Sequence, residues 1–422
     1  MINENFLHYL WKHRLFPIGN LKTVSEEFVE IISPGLHNQD SGPDFFNAKV
    51  KIGGTLWAGS VEIHINSSDW YVHNHDEDKA YDNVVLHVVS NYDKGVYRKN
   101  GELIPTLVLP VDSKYISNYS VLMKANRWIP CEDYFSHIDS SLKSLWVDSL
   151  LLERLERKSD LVKMHMAQTN NDFDEVFFRL LCRNLGFKTN AQPFEQLSRK
   201  VSLRMIRSLG NNVKRIESLL FGVAGFLSET HSEYQLELKK EFVHLSQKYN
   251  LTSLDKSIWK FARMRPLSFP TVRIAQLAQL LSRQTQFTQF VKSASSIEQL
   301  YELFMVTTSE FWFKHYTFDK SADEKEKTIG RSSIDNIIIN TVFPLLFVMS
   351  KYFDDAVLQQ KTLEWMAQIP AEKNNIVNRW RDLGVQMQSA IDSQAYIELY
   401  NEYCMKSRCL SCRLGAYIIR EM

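Results

Sequence analysis

Ser41-Gly42-Pro43-Asp44-Phe45 and, eighteen residues beyond that aspartate, the centre of Trp57-Ala58-Gly59-Ser60-Val61-Glu62-Ile63-His64-Ile65 frame a β-hairpin. Residues 46–52 alternate between apolar and polar, and Gly53-Gly54 supplies the two residues of a tight turn. Residues 55–65 are then the returning strand. Side chains alternate across a strand, so Glu62 and His64 share one face. Turned to water, both are ordinary surface residues. On the concave face of a sheet, a carboxylate and an imidazole need a bound partner to be tolerated. Asp44 also has a plain reading, as a turn aspartate accepting backbone hydrogen bonds after proline.

The flanking sequence extends this pattern. Residues 4–14 read as a short helix with Phe6, Leu7, Leu10 and Trp11 on one face. Residues 28–32 form a brief apolar run that stops at Ser33-Pro34-Gly35, and residues 36–44 read as a loop. Ser67 or Ser68 caps a short helical segment starting at Asp69 and Trp70. Residues 84–89 are the most apolar run of the region and read as a central strand. Residues 103–109, after the Asn100-Gly101 turn, read as another. From residue 139 the period becomes helical: Ile274, Leu277, Ala278 and Leu281 fall on one helix face, as do Ile334, Ile337, Ile338 and Thr341. Pro344 is expected to kink or end that second helix. Residues 321–327 read as an exposed, charged loop or helix end. The expected fold class is α+β: a mixed β-sheet flanked by helices in residues 1–130, followed by a mainly α-helical region in residues 131–422.

Composition narrows the class. Hydrophobic residues make up 44 % and charged residues 23 %, the values of a globular protein. Fifty basic against forty-nine acidic side chains give a formal charge of +1, so any basic groove for nucleic acid must be local. The first ten residues contain no long apolar segment of the secretory type, and no charge-free apolar stretch reaches about 18 residues. Five cysteines, an odd number, argue against a secreted disulfide scaffold. A cytoplasmic protein with no membrane association is the expectation.

Three constellations carry chemistry. Asp44 and Glu62 on neighbouring strands, with His64 two residues on, form the outline of a divalent-metal site suited to phosphodiester hydrolysis, since a metal polarises a phosphoryl oxygen and acidifies its bound water. Histidines are the second: His37, His64, His73, His75 and His87 lie within fifty-one residues. His73 and His75 have the spacing of zinc ligands on an extended segment; the alternative is two solvated loop residues beside a core His87 bonded to a carbonyl. Asp69 is a polar neighbour of this cluster. The third is Cys404-x4-Cys409-x2-Cys412, for which Cys131 is the leading fourth ligand, whereas Cys182 sits on an apolar helix face. Zinc, an iron–sulfur cluster, three reduced structural thiols and a Cys409–Cys412 redox pair all fit that spacing. Arg263, Arg265 and Arg273 around Pro266 and Pro270 offer either a phosphate site at a helix start or ion pairs to neighbouring helices. No P-loop, dinucleotide fingerprint, nucleophile elbow or kinase signature is present.

Pro43-Asp44 followed by Glu62-Ile63-His64 resembles the PD-(D/E)xK nuclease superfamily, and the order helix, strand, hairpin, helical segment, strand is that of its core. The resemblance covers residues 1–110 and implies a restriction-endonuclease-like domain. It also implies Mg²⁺ or Mn²⁺ held by Asp44, Glu62 and the carbonyl of Ile63, with nucleic acid as partner. His64 stands at the position usually held by lysine, which leaves open a catalytically inactive binding or scaffold protein. A zinc- or histidine-based hydrolase using His64, His73 and His75 is the further alternative. Some nucleases of that superfamily staple their domain with a cysteine-bound iron–sulfur cluster, and the four cysteines here are similar in kind. Ser41–Phe45, Gly59–His64, Leu86-His87-Val88-Val89, Arg265-Pro266 and Cys409-Leu410-Ser411-Cys412 together also resemble an uncharacterised bacterial family across essentially the whole chain.

Overall fold

The computed structural model describes residues 2–38 and 40–421; Gln39, part of the expected loop, lies outside them. The chain forms two compact units, residues 1–146 together with 399–422, and residues 147–398. The architecture is α+β.

The first unit is built on a curled, mixed, six-stranded sheet: β1 (Val29–Ser33), β2 (Leu36–His37), β3 (Phe45–Ile52), β4 (Thr55–Asn66), β5 (Val84–Asn91) and β6 (Thr106–Val108). The order is β1-β3-β4-β5-β6, with β2 also pairing with β3. The β3–β4 hairpin is antiparallel and closes through Gly53 and Gly54, whose φ values of 56° and 91° are those the two-residue turn demands. From β4 onward the sheet is parallel, with Glu62 beside His87 and His64 beside Val89. Gly59 allows the close β4–β5 approach, because a Cβ there would lie 2.5 Å from the Asn83 carbonyl oxygen.

Helix α1 (Glu4–His13) packs against β4 and is capped by the Asn3 side chain, which accepts from the Phe6 N–H. Phe6, Leu7, Leu10 and Trp11 are fully buried, as the apolar stripe predicts. The short α2 (Asp69–Val72) follows β4 directly, and α3 (Ser113–Lys124) follows β6. Trp70, Tyr81, Val84, Val96 and Ile104 form an apolar cluster over one end of the sheet. The loop expectation for residues 36–44 is corrected at its start, where Leu36 and His37 pair with Phe46 and Phe45. The strand expected at 103–109 shrinks to β6, and Leu103 makes only an isolated bridge to Tyr97.

The second unit is helical. Ile274, Leu277, Ala278 and Leu281 are buried on helix Pro270–Arg283, as their spacing predicts. Arg331–Tyr352 runs on through Pro344 instead of ending. The turn Ile338–Val342 is a π-helix, which places the proline where its missing N–H breaks no α-helical bond. By length and composition this helix is long and apolar enough to cross a membrane, yet most of it is buried within the protein. Arg331, Asp335 and Lys351 interrupt the run, so it contains no charge-free stretch of about 18 residues. Lys327 corrects another expectation: it ends the charged stretch 321–327 but is fully buried, donating to the Trp312, Phe313 and Lys325 carbonyls.

Candidate metal centre

The hairpin brings Asp44 and Glu62 to one side of the sheet. Asp44 directly precedes β3 and Glu62 lies within β4. The Asp44 N–H donates to Glu62 Oε2 at 3.0 Å, and the Ile63 N–H donates to Asp44 Oδ2 at 2.9 Å. Each carboxylate is thus held by backbone, with one oxygen left over for other chemistry. Since N–H and C=O of one strand residue point to the same edge, the Ile63 carbonyl faces the Asp44 side as well.

His64 shares the face of Glu62, as alternation requires, and both are buried. His73 and His75 reach the same place through the end of α2. Asn74 adopts a left-handed φ of 59°, and the His75 N–H reaches back to the Trp70 carbonyl at 3.0 Å, a Schellman closure of the helix. That turn carries the two imidazoles to His64. The ligand nitrogens of His64, His73 and His75 all lie within 4.8 Å of one another. His64 Nε2 is 3.1 Å from His73 Nδ1, and Glu62 Oε1 is 3.2 Å from His75 Nε2 and 3.6 Å from His64 Nε2. The base of the cluster is buried while His73 stands exposed at its rim.

Behind His64, its Nδ1 lies 2.8 Å from His87 Nε2. His87 is therefore paired with another imidazole rather than with the carbonyl expected of a core histidine. If Nε2 of His64 is to offer a lone pair, its proton must reside on Nδ1 and be donated to His87, an outer contact that fixes tautomer and ring orientation. Burial, aided by the neighbouring imidazoles, pushes the His64 pKa down to about 2 and that of His87 to about 3, so both rings are neutral. Burial lifts the Glu62 carboxyl above its ordinary range, against the opposing hydrogen bond from His75.

Two participants escaped the sequence reading. His8 of α1 faces Asp44, with Nε2 3.1 Å from Oδ2. Burial works to depress its pKa, but the contact and charge of Asp44 outweigh it and raise His8. Its signal was the i, i+4 pair Glu4/His8 on the polar side of an amphipathic helix. Tyr81 stacks on His75 with centroids 3.8 Å apart. No local pattern announces that contact.

Other expected residues lie elsewhere. Asp69 accepts the Asn66 N–H at 2.9 Å and so ends β4 instead of joining the cluster. Arg265 is exposed, whereas Arg273 is buried against Gln276 Oε1 at 3.0 Å, Ser333 Oγ at 3.1 Å and the Phe187 ring. The two belong to the second unit and do not form one phosphate site: the helix turn that buries Arg273 leaves Arg265 on the preceding surface loop.

A family model described as a protein of unknown function, DUF2851, matches residues 4–375. The chain belongs to the DUF2851 family. No curated protein and no solved structure matches it. The DUF2851 match takes in every residue of the histidine and carboxylate cluster, and Cys131 as well, while Cys404, Cys409 and Cys412 follow it.

These four cysteines lie in the first unit, none of them in a disulfide. Cys131, Cys409 and Cys412 are buried and Cys404 is partly so. Burial raises the Cys131 and Cys404 thiols, and in both the nearby Cys412 and Cys409 add to the rise; Cys404 also feels Cys131. The thiols of this DUF2851 protein thus raise one another. Cys182 is fully buried on helix Phe173–Leu185, as core.

Proposed function

We propose that this DUF2851 protein is a metal-dependent hydrolase of phosphodiesters, nucleic acid being the substrate class. The observation that carries the reading is the convergence of three imidazole nitrogens within 4.8 Å of one another, with Glu62 Oε1 3.2 Å from His75 Nε2 and 3.6 Å from His64 Nε2. Three neutral nitrogens and one carboxylate oxygen make a donor set for Zn²⁺ or Mn²⁺ better than for Mg²⁺, which prefers oxygen. The ligand set proposed is therefore His64, His73, His75 and Glu62, with Asp44 and the Ile63 carbonyl on the adjoining edge.

A metal held there would supply Lewis acidity and an acidified water. The chain's own residues supply the rest. Asp44 holds His8 in place and favours its protonated form, so His8 donates a proton to the departing oxygen. Glu62, held through Oε2 by the Asp44 N–H, would offer Oε1 to the metal. His87 orients His64 without touching substrate.

The phosphodiester assignment is supported by the resemblance of Pro43-Asp44…Glu62-Ile63-His64 to the PD-(D/E)xK nucleases. It is also supported by the sheet order, an antiparallel hairpin leading into a parallel strand through a short helix. A restriction-endonuclease-like core is part of this proposal. Incubation of metal-stripped protein with labelled single- and double-stranded DNA and RNA, with and without Mn²⁺ or Zn²⁺, tests it. Cleavage that requires metal and disappears in Glu62→Gln and His73→Ala is expected. Cleavage unaffected by both substitutions would assign the activity elsewhere, and no metal-dependent cleavage of any nucleic acid would favour the scaffold reading.

A further inference from the structure

Four of the five cysteines lie far apart in sequence yet in one region of the first unit, and the backbone around each is shaped to hold it there. Cys404 closes the π-helical segment Leu399–Cys404, after which Ser407 turns left-handed with φ 50° and the Arg408 N–H reaches back to the Tyr403 carbonyl at 2.9 Å. This reversal delivers the 3-10 turn Cys409–Ser411, in which the Cys412 N–H donates to the Cys409 carbonyl at 3.2 Å. The turn sets Cys409 and Cys412 at the two ends of a two-residue spacer.

Cys131 comes from the other end of the unit. Trp128, three residues before it, stacks on Tyr400 with ring centroids 4.8 Å apart, and Trp146 meets Tyr403 edge-on at 5.4 Å. The first pair packs the Cys131 segment against the Cys404 segment, and the second packs the helix that follows it there. The final helix Arg413–Glu421 leaves no slack behind the turn: a Cβ on Gly415 would sit 2.3 Å from the Cys409 carbonyl oxygen. Arg408 and Arg413 flank the CxxC pair in sequence and lie over the Tyr403 and Trp146 rings.

We infer that Cys131, Cys404, Cys409 and Cys412 form a tetrathiolate site for a soft metal, a structural zinc or an iron–sulfur cluster, separate from the histidine centre. Four cysteines, none in a disulfide and drawn from two segments that pack together, supply the four thiolates such a site requires. Metal binding releases the thiol protons and ties the C-terminal segment to the segment at Cys131. Its structural consequence reaches α1: the same final helix accepts a hydrogen bond from Tyr9 through the Ala416 carbonyl at 3.3 Å, and Tyr9 adjoins His8.

Elemental analysis of the full chain, purified without chelator, tests this. Zinc in one equivalent per chain, or iron with inorganic sulfide, is expected beyond any metal lost in a His73→Ala/His75→Ala variant. Cys412→Ser is expected to lose that equivalent, while Cys182→Ser keeps it. Should Cys412→Ser fail to fold, cobalt exchange into the wild-type chain replaces it, with intense thiolate-to-cobalt charge-transfer bands expected. Wild-type protein whose only metal is removed by the histidine substitutions, or one carrying a Cys409–Cys412 disulfide and no metal, would overturn the inference. Because the two centres are read by different variants, failure of the tetrathiolate leaves the hydrolase proposal standing, and the reverse.

Discussion

Asp44 and Glu62 are locked together through the backbone: the Asp44 N–H donates to Glu62 Oε2 at 3.0 Å, and the residue after Glu62 donates its own N–H to Asp44 Oδ2 at 2.9 Å. Neither carboxylate can move without orphaning a backbone donor of the other strand. The lock makes the pair both structural and chemical. Glu62→Ala is expected to cost about 1–3 kcal/mol of stability, the penalty for a buried donor left unpaired. Glu62→Gln, which keeps a carbonyl oxygen for the Asp44 N–H, is expected to fold almost normally yet lose metal-dependent activity. Urea unfolding of the two variants beside an activity assay separates these effects; equal destabilisation by both would break the account.

His73 is exposed at the rim and His87 is buried behind His64, so their substitutions should differ in kind. His73→Ala is expected to leave stability unchanged and to weaken metal binding by removing a ligand. His87→Phe keeps every ligand but removes the orienting contact, for which a loss of about 10–100-fold in metal affinity is expected. Calorimetric titration with Zn²⁺ measures both. Wild-type affinity in His87→Phe would show that the 2.8 Å contact between the rings has no bearing on the site.

The β4–β5 pairing beneath the cluster depends on Gly59. A Cβ there would approach both the Asn83 carbonyl oxygen and Val85 Cγ1 to 2.5 Å, and backbone cannot yield as a flexible side chain can. Gly59→Ala is expected to destabilise by about 1–3 kcal/mol, the usual cost of overpacking, and to lower metal affinity because Glu62 and His64 ride on the same strand. Thermal melts and metal titration of the variant check this. Unchanged values in both would mean the sheet relaxes freely at this point.

The second unit holds a pH-sensitive carboxyl. Glu217 is fully buried, with hydrogen bonds from the Tyr234 hydroxyl and from Ser309 at 2.9 Å; burial outweighs them and pushes its pKa up to about 7 from an ordinary 4.5. Between those values the folded chain holds a proton that the unfolded chain has released. The stability contributed by the protonated form is complete below pH 4.5 and is lost as pH rises towards 7, a change on the order of 3 kcal/mol. Glu217→Gln is expected to flatten that slope relative to wild type in urea midpoints taken from pH 5 to pH 8. Parallel curves for the two proteins would contradict it.

Much of this was legible in the sequence where the signal was local. Gly53-Gly54 and the alternation on either side placed the hairpin, and alternation alone set Glu62 and His64 on one face. The spacing of Phe6, Leu7, Leu10 and Trp11 gave α1. What escaped depended on contacts between distant segments. His8 reads as a surface residue until α1 is laid against β4, and His87 reads as core until the parallel register places it beside Glu62. The run through Pro344 was hidden because a π-turn absorbs a proline that an α-helix would reject. Arg265 and Arg273 looked like one basic site, yet the start of a helix divides an exposed guanidinium from a buried one. Lys327 was read by its charged neighbours, when its own ammonium is consumed by three carbonyls.

Anomalous diffraction from crystals of the full chain grown with Mn²⁺ or Zn²⁺, recorded on both sides of the metal's absorption edge, tests the central claim most directly. An anomalous peak bounded by His64 Nε2, His73 Nδ1, His75 Nε2 and Glu62 Oε1 is the predicted result, at bond lengths of about 2.0–2.2 Å for zinc. A peak absent there at saturating metal, with His64 and His73 instead hydrogen-bonded to each other, would contradict it.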